Sequence, residues 1–139
     1  MAGLGSPVCE DMVIEQIISL ISFDRDDLVP AIAQQHDGGE ILMMAWMNAD
    51  AIRETLRSGR VCYWSRSRSR LWRKGETSGQ RQSLIGFRWD CDADTVLLLV
   101  DQDGVACHTG RRNCFFNALV DGRVAVIAKP EINPDTLYG

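Results

Sequence analysis

Positions 1–11 contain no lysine or arginine and no sustained apolar stretch. A secretory signal needs a charged start followed by an apolar segment, and a transit peptide needs arginines, so the start of the chain reads as neither. No apolar run approaches the ~20 residues a membrane helix requires, and with no membrane segment expected the reading places the protein in the cytoplasm. Internal repeats and low-complexity linkers are absent, and 139 residues leave no room for a second catalytic domain. The expectation is therefore one domain over 1–139. A net charge of -4 argues against a nucleic-acid face, which calls for a basic domain.

Cysteine is present at Cys9, Cys62, Cys91, Cys107 and Cys114. In a reducing compartment these do not form a disulfide framework, which leaves metal ligation or plain burial. The charges are unevenly spread. Arg66, Arg68, Arg70, Arg73, Lys74 and Arg81 precede an acidic block of Asp90, Asp92, Asp94, Asp101 and Asp103. A basic block beside an acidic one fits a small phosphorylated ligand together with a metal.

Apolar residues at helical spacing predict a helix over 10–22, and a second is expected over 49–58, capped by Asn48 and stopped by Gly59. Strands are expected at 30–35 and 40–47, joined at Asp37, Gly38 and Gly39, and then at 61–65, 84–90, 95–100, 114–120 and 123–128. Residues 130–139 are expected to drape over the surface. The fold class is α+β, a mixed or antiparallel sheet with two or three helices.

Asp90, Asp92 and Asp94 stand at i, i+2 and i+4, so on an extended segment their carboxylates would share one side and suit a hard ion such as Mg²⁺. An acidic turn between strands is the plainer alternative. Cys91, Cys107 and Cys114 follow a C-x15-C-x6-C spacing, unlike a zinc finger. Three thiolates would hold Zn²⁺ with a fourth position open, as in catalytic sites, although three buried apolar thiols explain the pattern equally well. His108, next to Cys107, is a candidate general acid or base, or else a hydrogen-bonded turn residue. His36 reads as solvated surface. Between 63 and 79, Trp64, Arg66, Arg68, Trp72, Arg73, Lys74, Glu76, Thr77 and Ser78 interleave rings, cations and hydroxyls. These groups bind phosphate and stack on purines, and the same chemistry lines a single-strand RNA groove.

The stretches MMAWMN, YWSRSR, LWRKGETSG, DCDAD and ACHTGRRNCF, from about Leu42 to Phe116, resemble the phosphoribosyl-AMP cyclohydrolases. Asn113 and Phe116 depart from the usual Ser and Tyr, and neither change removes a ligand. The resemblance implies a homodimeric hydrolase of histidine biosynthesis that cleaves the N1–C6 bond of the adenine in 1-(5-phosphoribosyl)-AMP. It implies one zinc per subunit on Cys91, Cys107 and Cys114, and one magnesium per subunit on Asp90, Asp92 and Asp94. It also implies that Cys91 comes from the partner subunit. The alternation of an extended segment points the same way, since Cys91 would face away from the aspartates; a bulge or loop that turns the thiol back is the alternative. Many relatives carry a fused pyrophosphohydrolase, for which this chain has no room.

Overall fold

A computed structural model describes residues 9–138. Helix α1 spans Asp11–Leu20 and α2 spans Ala49–Ser58, both close to expectation. The reasons for the second are local. Asn48 Oδ1 accepts the Ala51 N–H at 2.8 Å, Asp50 and Arg57 complement the helix dipole, and Gly59 ends the helix at φ 75°. Ala51, Ile52 and Leu56 line its buried face, and Ile52→Ala would cost roughly 2–5 kcal/mol. Arg53 joins the helices by donating to Glu15 at 2.7 and 2.9 Å.

The strands are β1 (Val29–Gln35), β2 (Ile41–Met47), β3 (Cys62–Ser65), β4 (Arg70–Arg73), β5 (Gln82–Trp89), β6 (Val96–Gln102), β7 (Asn117–Val120) and β8 (Arg123–Val126). Six form one mixed sheet in the order β4-β3-β2-β1-β6-β5, with β1 and β6 parallel and the other neighbours antiparallel. The sheet curls until Val61 donates to Gln82 O at 3.0 Å, so the approach to β3 meets the start of β5. β7 and β8 form a separate two-stranded ribbon. One sheet face, with Val29, Ala31, Ala33, Val96, Leu98 and Val100 fully buried, shares the core with Ile14, Ile52 and Leu56 of the helices. Among the described residues no helix is long and apolar enough to cross a membrane.

Two expectations need correction. β4 forms where no strand was expected, because Leu71 and Trp72 pair with Trp64 and Tyr63. The strand expected over 114–120 begins only at Asn117, since Asn113 Oδ1 accepts the Phe115 N–H and turns the backbone there. The C-terminal segment lies over the surface as expected and is held there: Glu131 and Ile132 donate to Gly110 O, and a short helix α3 (Asp135–Tyr138) buries Leu137. Gly110, at φ 85°, has no space for a side chain, because a Cβ there would overlap Ile132 O.

Buried glutamines tie the sheet to the loop that follows β6. Tyr63 donates to Gln82 at 2.7 Å, Gln82 donates to Gln102 at 2.9 Å, and the Gln102 N–H donates to Gln35 at 2.9 Å. Arg112 reaches into this chain, donating to Gln35 Oε1 and to the Gln102 and Gly104 carbonyls. Removing Arg112 would take a donor from the part-buried Gln102 carbonyl, a cost of about 1–3 kcal/mol if it is left unsatisfied, while Gln35 Oε1 would keep the Gln102 N–H. The cysteine-bearing loop is held by that side chain.

Candidate functional site

Residues 90–94 form the turn between β5 and β6, the plainer of the two readings, rather than an extended segment. The Asp90 N–H donates to Thr95 O, the Ala93 N–H donates to Asp90 O, and Ala93 adopts φ 62°. Asp90 Oδ1 accepts the N–H groups of Asp94 and Thr95 at 3.0 and 3.2 Å. This turn, rather than strand alternation, gathers Asp90, Asp92 and Asp94, whose ligand oxygens lie within 4.8 Å of one another and are exposed. Slight desolvation opposes ionisation of Asp90, but the Thr95 and Asp94 donors hold its carboxyl below the ordinary range. Asp94 is pushed up by its hydrogen bond with Asp92, by desolvation and by the two neighbouring charges. Three carboxylates held this close could bind a metal ion, and as hard oxygen donors they suit a hard cation.

Beyond the other end of β6 lies the loop with Cys107 and Cys114. The Ala106 and Cys107 N–H groups donate to Arg112 O and Arg111 O, and the Cys114 N–H donates to Leu42 O at 2.8 Å. Asn113 donates to Glu40 Oε2 at 2.8 Å, and Glu40 is also paired with Arg112 at 3.2 Å. These bonds set the two sulfurs side by side. Cys107 is buried, and Thr109 Oγ1 donates to its sulfur at 3.1 Å. Burial opposes the thiolate, but the Thr109 donors, the Cys114 thiol and the charge of Arg111 hold the Cys107 pKa below its usual value. Burial and the neighbouring Cys107 push Cys114 up to about 12. Of the two, Cys107 is therefore the thiol that ionises more readily.

Lys74 was expected at an open phosphate site and is instead buried, with its N–H on Val61 O. Desolvation lowers its pKa while the sulfurs of Cys114 and Cys107 raise it, which places the ammonium beside the thiol pair. Cys91 is exposed in the aspartate turn. Among the described residues the aspartates are the one group of three or more His, Cys, Asp or Glu with ligand atoms this close, so one chain does not gather its three cysteines. The turn and the loop lie at opposite ends of β6, seven residues or roughly 20 Å long. His108 is exposed next to buried Cys107. Cys62, by contrast, is a core residue whose thiol burial pushes up to about 11.

The basic aromatic segment divides. Trp64, Arg66 and Trp72 line an open cleft of about 560 Å³ with Ser65, Ser67 and Trp46. The Arg66 guanidinium sits 4.8 Å from the centre of the Trp46 ring. Trp46 was missed because the run Ile41–Met47 reads simply as an apolar strand. Arg68 is exposed in the turn beside the cleft, whereas Arg73 is engaged with Glu54 of α2 at 3.0 Å. Glu76 and Thr77 are exposed in the loop after Lys74, where Ser78 Oγ accepts the Gln80 N–H. Arg112, Asn113 and Glu40 were also missed; their role depends on partners far away in sequence.

A family model described as phosphoribosyl-AMP cyclohydrolase matches residues 43–116. The chain is 64% identical over 127 residues to the phosphoribosyl-AMP cyclohydrolase of Rhodospirillum centenum, covering 91% of this chain and 96% of the relative. It is 62% identical over 120 residues to that of Rhodospirillum rubrum, covering 86% and 84%. It is 63% identical over 122 residues to that of Paramagnetospirillum magneticum, covering 88% and 92%. The match takes in both ends of β6, the aspartate turn and the cysteine loop alike, and with relatives this similar over nearly their whole length the chain belongs to the phosphoribosyl-AMP cyclohydrolase family.

Proposed function

We propose that the chain is a homodimeric phosphoribosyl-AMP cyclohydrolase that hydrolyses the N1–C6 bond of the adenine ring in 1-(5-phosphoribosyl)-AMP, the third step of histidine biosynthesis. The product is the phosphoribosyl-formimino carboxamide ribotide. The observation that carries the chemistry is the pairing of buried Cys107 with half-buried Cys114 in one loop, while Asp90, Asp92 and Asp94 converge elsewhere. Soft sulfur on one side and hard oxygen on the other fit two different metals, zinc and magnesium. Cys107 and Cys114 of one subunit, with Cys91 of the partner subunit, would hold one zinc per subunit. Asp90, Asp92 and Asp94 would hold one magnesium per subunit. Bound zinc supplies the Lewis acidity that makes water nucleophilic near neutral pH, and bound magnesium supplies positive charge for phosphate oxygens.

The chain's own side chains do the rest. Trp46, Trp64 and Trp72 offer ring faces to the purine, and Arg66 and Arg68 offer guanidinium donors to its phosphates. Lys74 sets a positive charge beside two sulfurs and offsets the negative charge that thiolates concentrate there. Attack of water at C6, electron-poor through the N1 substituent, requires one proton to leave the water and one to reach N1 as the bond breaks. His108, exposed beside Cys107, would move that proton. The test is spectrophotometric turnover of 1-(5-phosphoribosyl)-AMP by purified protein. Activity should vanish on chelation and return with zinc. No turnover by metal-loaded protein, together with tight and salt-sensitive RNA binding, would replace this reading with an RNA-binding one.

A further inference from the structure

Glu40 stands just before β2, where its carbonyl accepts the Gln35 N–H at 2.7 Å and so ties it to the end of β1. Its carboxylate is divided between two partners on the cysteine loop. Oε1 accepts the Nε–H of Arg112 at 3.2 Å, and Oε2 accepts the side-chain amide of Asn113 at 2.8 Å. Two residues further along the hairpin, Leu42 O accepts the Cys114 N–H at 2.8 Å. The hairpin therefore holds Arg112, Asn113 and Cys114 in succession, from a part of the chain some seventy residues away.

Donor and acceptor roles fix the direction of these bonds. A carboxylate only accepts, so it takes the NH₂ end of the Asn113 amide and leaves Oδ1 for the other side. There Oδ1 accepts the Phe115 N–H at 2.8 Å. The Asn113 side chain thus spans Cys114, from the residue before it to the residue after, and Glu40 decides which way that bridge faces. A neutral amide at position 40 has one oxygen to give. Facing it to Arg112 sets its NH₂ against that of Asn113, and turning Asn113 over to accept would set Nδ2 against the Phe115 N–H.

We propose that Glu40 is a positioning residue for the thiol pair: by orienting Asn113 and holding Arg112 it sets the backbone on both sides of Cys114, and with it the place of that sulfur beside Cys107. It acts through these two side chains and not as a ligand. The proposal rests on the reading of Cys107 and Cys114 as zinc ligands given above.

The experiment compares wild type, Glu40→Gln, Asn113→Asp and the double variant, all as full chains. Zinc affinity is read by competition with a chromophoric chelator. The arrangement of the ligands is read from the absorption bands of the cobalt-loaded chain, which a contact that only stabilises the fold would leave in place. Glu40→Gln is expected to bind zinc roughly 10- to 100-fold more weakly, the loss typical of a group that orients a ligand, and to shift the cobalt bands. Asn113→Asp, which sets carboxylate against carboxylate, should be similarly impaired. The double variant exchanges the two groups at unchanged net charge. Its new amide gives an oxygen to Arg112 and its NH₂ to the new carboxylate, whose second oxygen accepts the Phe115 N–H. Affinity and bands should return toward those of wild type. Unchanged affinity and bands in Glu40→Gln, or a double variant no better than either single one, would overturn the proposal and leave the zinc reading standing. Should the single variants lose their native circular dichroism, Asn113→Ala removes the bridge without setting like groups together, and unchanged cobalt bands there would overturn the proposal equally. A wild-type cobalt complex without sulfur-to-metal charge transfer would instead remove the zinc reading, and the proposal with it.

Discussion

The two ends of β6 carry opposite kinds of candidate site. At its start, the aspartate turn is exposed, and its hydrogen bonds run mostly between Asp90 and Thr95, with one from further off, the Ser22 N–H donating to Ala93 O at 2.8 Å. At its far end, the cysteine loop is partly buried, with Cys107 inside, and is fixed by partners drawn from Gln35, Glu40, Leu42 and Gln102. A hard-ion site can stand in water, because the ion keeps part of its hydration shell. A thiolate site is better served by burial with fixed donors and a counter-charge, here Thr109 and Lys74. Changes at the cysteine end should therefore be severe and felt through the fold, and changes at the aspartate end milder and felt through ionic conditions.

The largest effect should come from Cys114→Ser. Replacing a soft donor by a hydroxyl should cost more than about 100-fold in zinc affinity, beyond what loss of a supporting group costs, and abolish turnover. Zinc content by atomic spectroscopy and turnover should fall together. Cys62→Ser is the control: it should lose roughly 1–3 kcal/mol of stability by burying a hydroxyl in an apolar site, yet keep its zinc. Full zinc retention in Cys114→Ser would break the contrast drawn between the two ends.

Cys91→Ser and Cys107→Ser should each be inactive alone and regain activity when refolded together. In a mixed dimer one composite site carries both defects and the other carries neither, so random pairing of equal amounts should return about a quarter of wild-type activity. No recovery in dimers shown by mass to be mixed would mean that Cys91 does not serve the other subunit's pair.

His108→Ala comes next. Since the side chain is exposed, the variant should keep its fold and its zinc and lose catalysis by about 10²- to 10⁴-fold. Loss of zinc in this variant would move His108 into the ligand set, and an unchanged rate would return it to the surface.

What could be read from sequence follows the same division between local and distant causes. α2 was legible because Asn48 and Gly59 act within one turn, and the ribbon and the main strands because pattern and turn residues are local signals. The three aspartates were legible as a cluster, although a turn and not strand alternation gathers them. The chain brings them together by turning at Ala93, so the alternation argument for where Cys91 points does not hold, and its separation from Cys107 by the length of β6 takes its place. The cysteine loop was legible in composition only. That Lys74 would leave the basic block and face two sulfurs, that Arg73 would be taken up by Glu54, and that Arg112 would pin the loop all depend on a parallel β1–β6 pairing and a curled sheet that no local pattern encodes. Trp46 was hidden for a related reason, since its neighbour Arg66 arrives from a different strand connection.

The smallest effect, and the one that isolates the aspartate end, is Asp94→Asn in metal-free protein. The Asp94 carboxyl is pushed up by Asp92 and by the charge of Asp90, so its folded pKa lies above its unfolded value near 3.8. Below that unfolded value the group is protonated in both states and contributes nothing. As pH rises through the folded pKa the folded state takes on a repulsion that the unfolded chain lacks, and the group becomes destabilising. Asp90 has the opposite sign: its lowered pKa contributes stability above the unfolded value, lost as pH falls through the folded one. Asp94→Asn should therefore raise the midpoint of thermal unfolding slightly at neutral pH and leave it unchanged in strong acid. Magnesium should reverse the ranking, because a cation among the three carboxylates turns the repulsion into ligation and the amide contributes less to it. Thermal scans with and without magnesium at two pH values decide the matter. A variant less stable than wild type at neutral pH without any divalent ion would show that the carboxylates are not strained against one another, and that the aspartate end is as finely braced as the cysteine end.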